Sequence, residues 1–537
     1  MDLSGAEPRA PRITPAAGVA ASARLLHGIP AWGWGLAALT LLAAALRFAT
    51  LGHQSLWLDE AWTAYLVRLH PGEMLAAVPH TESTPPLYYL LAWGTTRVLG
   101  HGEVALRALS AVAGTLTIPI AYAAAATFAT RRVGLVAAAL AATSPILIWY
   151  SQEARAYALV VALTGLSLLC FAHARERLSP PWLAAWAASA MAALATHYFA
   201  VFVVAPEAAL LLAAALRARR AAAGEAGGEG AGERALPRTL AALGVVGALG
   251  CALLVIAIRQ ERHRSAAWIH EIPLSHRLAE IPRELVAGFP PGVAWVPWAT
   301  GAVAVAALTL LVRRGDTRER RGALVAGGIG VVALGVPLAL AAGGIDFFLT
   351  RNLLPAWLPL ALVLAAGLGA RRAARAGLSL TVVLCALSLV TVVAVAHTPK
   401  LERPTWRTLA ARLGPPQAGR AIVLRRYVFA MPLAVYRSRT WRMTAPSAQL
   451  REIDVVTIDT RGAPACWWGA TCGIPGARPL RRTLVPGFAL AGHERAGDFT
   501  ISRFVAARPL RVRRAELIVK RGNTVLLDDV HSPIPSG

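Results

Sequence analysis

Apolar stretches of about 20 residues, the length a helix needs to cross about 30 Å of hydrocarbon, recur along this chain between short polar turns. The pattern predicts spanning helices over 31–51, 104–128, 132–150, 155–174, 181–197, 198–216, 239–258, 296–312, 322–343, 352–370 and 377–397. No polar loop separates 181–197 from 198–216, so that pair has the least marked boundary. The reading is an all-α polytopic membrane domain of about eleven spans over residues 31–398, after a polar segment 1–30. From Pro399 the periodicity shortens. "TWRTLAARL" predicts an amphipathic helix, and "RAIVLRRYVFA", "IDVVTID" and "PLRVRRAELIVKRGNTVLLDDV" predict strands, the last with a turn at Gly522-Asn523. Residues 399–537 therefore form a small soluble α/β domain with its own core.

Composition agrees with the pattern. Of 537 residues, 56% are hydrophobic and only 15% charged, too few charges to clothe a soluble surface of this size. A formal net charge of +25 would suggest nucleic acid in a soluble protein. Here the arginines fall in the turns: Arg131-Arg132, Arg175 with Arg177, Arg217 to Arg220, Arg313 to Arg321, and Arg371 to Arg375. If the spans alternate, all of these share one side with residues 1–30. The positive-inside bias makes that side the cytoplasm and leaves no nucleic-acid partner to invoke. The 52–103 loop, the turn Ser151-Gln152-Glu153, the turn at His197, the 259–295 loop, the 346–351 turn and the C-terminal domain then lie outside a plasma membrane. No basic-then-apolar stretch with a cleavage site precedes Pro30, so the first span reads as an uncleaved anchor.

Chemistry-bearing residues gather on that outer side. The first loop carries "SLWLDEAW", with Asp59 and Glu60 between Trp57 and Trp62, and then "HTESTPPLYYLL" from His80. Pro85-Pro86 suit the start of a helix, predicted to lie in the interface with Tyr88, Tyr89 and Trp93 at headgroup depth. Later outer turns hold Glu153 with Arg155, and Arg351. Adjacent helical residues point about 100° apart, so Asp59 and Glu60 should not share one proton. Asp59 reads as a catalytic base or as a helix N-cap. Glu60 reads as a second catalytic carboxylate, or as a group that holds a neighbour or a helix end. Arg155 and Arg351 suit the forked grip of a phosphate or the snorkelling of a helix-end cation. Glu153 is a candidate for orienting Arg155 or an acceptor. Trp57 and Tyr88 offer flat faces for a substrate, and His80 reads as a further substrate-binding candidate or as a surface loop histidine. His197, Tyr198 and Arg407 read as interface or packing residues.

"SLWLDEAW", "PPLYYLLAW", "LRALSAVAGT", "SPILIWYSQEARAYAL", "TRNLLPAWLPLALVLA" and "TWRTLAARL" occur in an order that resembles membrane glycosyltransferases of the GT-C fold. The chain is most similar to their dolichyl-phosphate-mannose-protein mannosyltransferase-like group. That resemblance implies a GT-C type membrane domain with an extracytoplasmic C-terminal domain. It also implies a sugar donor on polyprenyl phosphate and transfer to a hydroxyl of a protein, glycolipid or envelope polysaccharide. It makes Asp59 the base. The residue before the Pro-Pro pair is often histidine in such relatives and is Thr84 here.

Other features bear on the alternatives. No G-x-x-x-x-G-K-[ST] loop is present for ATP. No D-x-D pair or ligand-spaced histidine set suggests a metal, so none is expected as cofactor. A transporter or lipid flippase would place polar or broken helices near the midplane, where this chain has alanine, leucine and valine. Cys170, Cys251 and Cys385 lie in spans as small apolar residues. Cys466 and Cys472 in the outer domain are either a disulfide or two buried thiols.

Overall fold

The computed structural model describes residues 30–224, 231–262, 269, 272–289, 294–398, 403–424, 430–437, 440–458, 485–518 and 524–528. The Cys466–Cys472 pair, the Gly522-Asn523 turn and residues 1–29 lie outside them.

Every predicted span corresponds to a helical segment. Among the described residues, eight helices are long and apolar enough to cross a membrane, and nine if one bent pair counts as a single span. The bent pair is Arg131–Thr143 and Pro145–Ser151, at 58° to each other, where a straight span over 132–150 was expected. Pro145 has no N–H to give and cannot continue the helix before it. The carbonyls this break leaves at Ala141 and Ala142 are taken by the buried guanidinium of Arg47, at 3.0 and 3.2 Å. Two further segments are short: Pro180–Thr196 has 17 residues, and Leu354–Leu368 joins a 3₁₀ turn to a short helix. The unmarked boundary falls at His197, followed by the 3₁₀ turn Tyr198–Ala200 and the helix Val201–Gly224.

With no hydrophobic force between helices in lipid, close approach of small residues holds such a bundle together. A Cβ on Gly367 would stand 2.0 Å from the Ala307 carbonyl oxygen, and one on Gly377 would meet the Leu368 carbonyl oxygen. Neither backbone can yield, so Gly367→Ala should cost about 1–3 kcal/mol. A lower melting temperature of the detergent-solubilised protein measures this; an unchanged one means the helices can part.

The basic turns lie together at one end. Arg132 reaches the Ala374 carbonyl, Arg318 that of Thr127 at 3.2 Å, and Glu319 accepts the Arg371 N–H at 3.1 Å. The 52–103 loop, the 152–156 turn, the 346–351 turn and the C-terminal domain meet at the other end. In the loop, helix Leu87–Leu99 packs on Glu103–Phe128, Leu58–Leu66 packs on Leu87–Leu99 and Pro71–Thr81, and Pro71–Thr81 rests against Ala231–Arg262. The amphipathic helix Leu274–Ala287 packs on Val296–Arg314 and Pro145–Ser151 and is anchored by a buried pair of Arg277 and Asp346 at 2.7 and 2.5 Å.

The C-terminal domain is a six-stranded sheet of β1 (Arg420–Leu424), β2 (Thr440–Arg442), β3 (Ser447–Ile458), β4 (Ala489–Ala496), β5 (Phe499–Arg513) and β6 (Thr524–Asp528), in the order β2-β6-β1-β3-β5-β4. Among the described strands, only β1 and β3 pair in parallel. Helices Trp406–Leu413 and Ala430–Tyr436 cover one face through Trp406, Leu409 and Leu433. "RAIVLRRYVFA" reads as one strand; of its described residues, Arg420–Leu424 form a strand, while Ala430 begins the helix Ala430–Tyr436, whose Leu433 packs into that core. The domain sits on the first loop: the Tyr436 hydroxyl accepts the Leu56 N–H at 2.7 Å and donates to Glu103, which also pairs with Arg407.

Candidate active site

The chain enters Leu58–Leu66 through Trp57, in extended conformation. No Ser, Thr, Asp or Asn caps this start. Instead Glu60 reaches back to accept the Trp57 N–H at 3.3 Å. Asp59 and Glu60 occupy the first turn, and their side chains diverge as helical geometry requires.

Glu60 turns inward and is fully buried. It accepts Nε and Nη2 of Arg107, both at 2.7 Å, Nη1 of Arg403 at 3.2 Å, and the Ala154 N–H at 2.9 Å. Arg107 also holds the carbonyls of Leu51, Gln54 and Ser55 at 2.8, 2.8 and 3.0 Å, fixing the path of the loop. Burial by itself would raise the Glu60 pKa, but Arg107 and Arg403 outweigh it and hold the carboxyl below its ordinary range. So saturated, Glu60 has no lone pair aimed at a substrate. The geometry gives it to the helix start and its neighbours rather than to proton transfer.

Asp59 turns the other way. Its Oδ2 accepts Nη1 of Arg351 at 3.1 Å, with side chains 23% and 22% exposed, so this ion pair is reachable from outside. Behind it, Arg155 is buried and donates to Glu82 at 2.7 Å and to the Asp59 carbonyl at 3.4 Å. Glu82 also accepts the Tyr89 hydroxyl at 2.6 Å, and Tyr89 in turn meets Thr84 at 2.9 Å. Burial pushes Glu82 above the ordinary carboxylate range against the pull of Arg155.

Glu153 does not orient Arg155 with its side chain, as the sequence suggested; it accepts Arg403 at 3.3 Å, and its Oε1 has no hydrogen-bond partner. Burial lifts its pKa from 4.5 to about 7, with Arg403 opposing. The unfolded chain therefore loses this proton near 4.5 and the folded chain near 7. Stability should fall as pH rises across that window and level off above it. Glu153→Gln should flatten the fall by on the order of 3 kcal/mol. Melting temperatures at pH 5 and pH 8 test this; an equal fall in wild type and variant would exclude Glu153 as its source.

His197 is buried beside Tyr157, their ring centres 5.8 Å apart. Burial first, then Arg155 and Arg351, lower its pKa to about 3, so it is neutral. Its Nδ1 accepts the Phe199 N–H at 3.2 Å, which leaves the ring proton on Nε2.

The aromatic candidates lie elsewhere. Tyr88 was expected at headgroup depth facing a substrate, but it is fully buried with its hydroxyl on Ser110 at 2.9 Å. Leu87–Leu99 packs on Glu103–Phe128 and turns Tyr88 and Tyr89 inward. Trp57 is likewise buried, at the helix start. His80 is exposed on Pro71–Thr81. Among the described residues, no group of three or more His, Cys, Asp or Glu side chains could hold a metal ion.

Sequence reasoning passed over Glu82, Arg107 and Arg403. Arg107 carried a signal, since an arginine inside an apolar run, near the end that adjoins the 52–103 loop, needs a partner. Glu82 stood in the quoted "HTESTPP" as one carboxylate among several. Arg403 offered no local signal. An open apolar pocket of about 190 Å³ is lined by Tyr198, Phe199, Phe202, Pro337, Leu340 and Phe347 among others, and Phe347 stands four residues before Arg351 in the chain.

Residues 83–223 match the family model of dolichyl-phosphate-mannose-protein mannosyltransferases. The match takes in Arg155 and His197, while Asp59 and Arg351 lie outside it. Of solved structures, ArnT from Cupriavidus metallidurans in the apo state is 18% identical, covers 75% of this chain and 74% of its own, and gives a TM-score of 0.45. The same enzyme bound to undecaprenyl phosphate is 14% identical over 89% of this chain and 99% of its own, TM-score 0.39. The oligosaccharyltransferase of Archaeoglobus fulgidus, in complex with Zn and sulfate, is 13% identical over 71% and 55%, TM-score 0.43. No curated protein sequence matches the chain. The resemblance to the mannosyltransferase-like GT-C group read from the loop motifs is thus also found by the family model.

Proposed function

We propose that this multi-pass membrane protein is a glycosyltransferase that moves a sugar from a polyprenyl-phosphate donor to an acceptor hydroxyl on the outer face of the plasma membrane. The observation that carries the reading is the partly exposed pair of Asp59 and Arg351, together with an apolar pocket whose lining residue Phe347 stands four residues before Arg351 in the chain. A lipid-linked sugar needs both parts, a dry slot for the chain and a cation for the phosphate.

The proposed steps follow from the charges. The donor phosphate draws Arg351 from Asp59, and the guanidinium grips its oxygens. Asp59, released, takes the proton of the acceptor hydroxyl as its oxygen attacks the anomeric carbon. The bond from that carbon to the phosphate oxygen breaks, its electron pair stays on the phosphate, and the sugar is inverted. Arg155, held by Glu82, adds positive field behind the leaving group. The prenyl chain lies in the pocket between Val201–Gly224 and Thr317–Ala342. Acceptors in keeping with the family resemblance are a protein, a glycolipid or a polysaccharide.

The test is to incubate the purified protein with a panel of radiolabelled polyprenyl-phosphate sugars and membrane extract, and to identify the labelled product. Transfer from one donor class supports the reading. No transfer from any, with the protein folded, overturns it.

A further inference from the structure

Arg403 stands just beyond the last span, in the segment that leads to the C-terminal domain, yet its side chain is buried inside the membrane domain's outer end. It donates to Glu60 at 3.2 Å, to Glu153 at 3.3 Å and to the Gln152 carbonyl at 3.0 Å, and it lies over the Trp149 ring at 5.1 Å. Its backbone N–H faces Gln54 at 3.4 Å. Through its guanidinium and its backbone N–H this one residue ties three places together: the first turn of Leu58–Leu66 and the 152–156 turn by the side chain, and the loop before that helix by the backbone.

These are the places that aim the reactive groups. Glu60 follows Asp59 on the same helical turn. It also accepts the N–H of Ala154, the residue before Arg155. Arg155 returns a bond to the Asp59 carbonyl. Moving Arg403 therefore moves Asp59 and Arg155 relative to one another, although Arg403 touches neither.

We propose that Arg403 is a positioning residue, supplied by the linker to the C-terminal domain, that sets Asp59 and Arg155 in register for sugar transfer. The proposal rests on the function given above. It makes the linker part of the reaction centre: the arginine arrives from more than 340 residues downstream, by the 343-residue separation from Glu60. Lysine keeps the charge but cannot span both carboxylates and a carbonyl with one ammonium.

The experiment compares full-length wild type, Arg403→Lys, Arg403→Met and Arg407→Ala in nanodiscs by two readouts. The first is hydrogen exchange of peptides covering 55–66 and 150–158. The second is kcat and donor KM with whichever lipid-phosphate sugar the panel identifies. In Arg403→Met, exchange should quicken in both peptides and kcat should fall about 10²-fold with KM for the donor unchanged, as expected for misplaced rather than missing groups. Arg403→Lys should fall between the two. Arg407→Ala, whose side chain pairs with Glu103 on the same surface, should keep wild-type kcat. Should Arg403→Met fail to fold, the lysine variant decides, since a wild-type kcat and exchange pattern there overturns the proposal. Wild-type exchange in Arg403→Met, or a loss expressed only in KM, overturns it too. Absence of transfer by wild type would fell the proposed function instead, and the exchange comparison would still decide whether Arg403 holds the two segments.

Discussion

Asp59→Asn should leave the protein folded and inserted while transfer falls by about 10³-fold or more, the upper part of the range for losing a general base. The substitution keeps the shape of the side chain and one hydrogen-bond acceptor for Arg351. Both residues are partly exposed, so loss of the ion pair costs little stability. The melting temperature should therefore stay near that of wild type, and the donor should still bind, since Arg351 is retained. Measured turnover with the labelled donor separates the outcomes. Wild-type transfer by the asparagine variant would remove Asp59 from the role of base and leave it as a partner of Arg351 only.

Arg107→Met should act in the opposite way, on the fold first. Its removal strands a fully buried carboxylate and three backbone carbonyls at once. Breaking a buried pair by taking one partner away costs about 3–5 kcal/mol, because the remaining charge keeps its desolvation cost. A clear drop in melting temperature, with the 52–57 loop opened to proteolysis, is the expected result. The double variant Arg107→Met with Glu60→Gln should lose less than the sum of the two single changes, since no net charge is then left uncompensated by methionine. Additive losses would show that Arg403 alone suffices to hold Glu60.

Much of the architecture was legible because it depends on local properties. A run of apolar residues long enough to cross hydrocarbon must become a helix, since lipid offers its backbone no other partner. Hence all the predicted spans are helical, and hence the basic turns collect at one end. The divergence of Asp59 from Glu60 was legible too, being set by helical pitch. The break at Pro145 was written in the sequence, but its repair was not, because Arg47 lies 94 residues from the carbonyl it satisfies.

The site divides along the same line. From the sequence alone came its side of the bundle and its acidic and basic members Asp59, Arg155 and Arg351, because a charge at the end of an apolar run needs a reason to be there. Only the tertiary structure decided the pairing: Arg155 with Glu82, Glu153 with Arg403, Glu60 with Arg107 and Arg403, and Asp59 with Arg351 across 292 residues. Hydrophobic length and turn charge are read within some twenty neighbouring residues. Which arginine neutralises which carboxylate depends on where helices far apart in sequence cross. That is settled by packing, which then leaves Glu60 buried and Asp59 open.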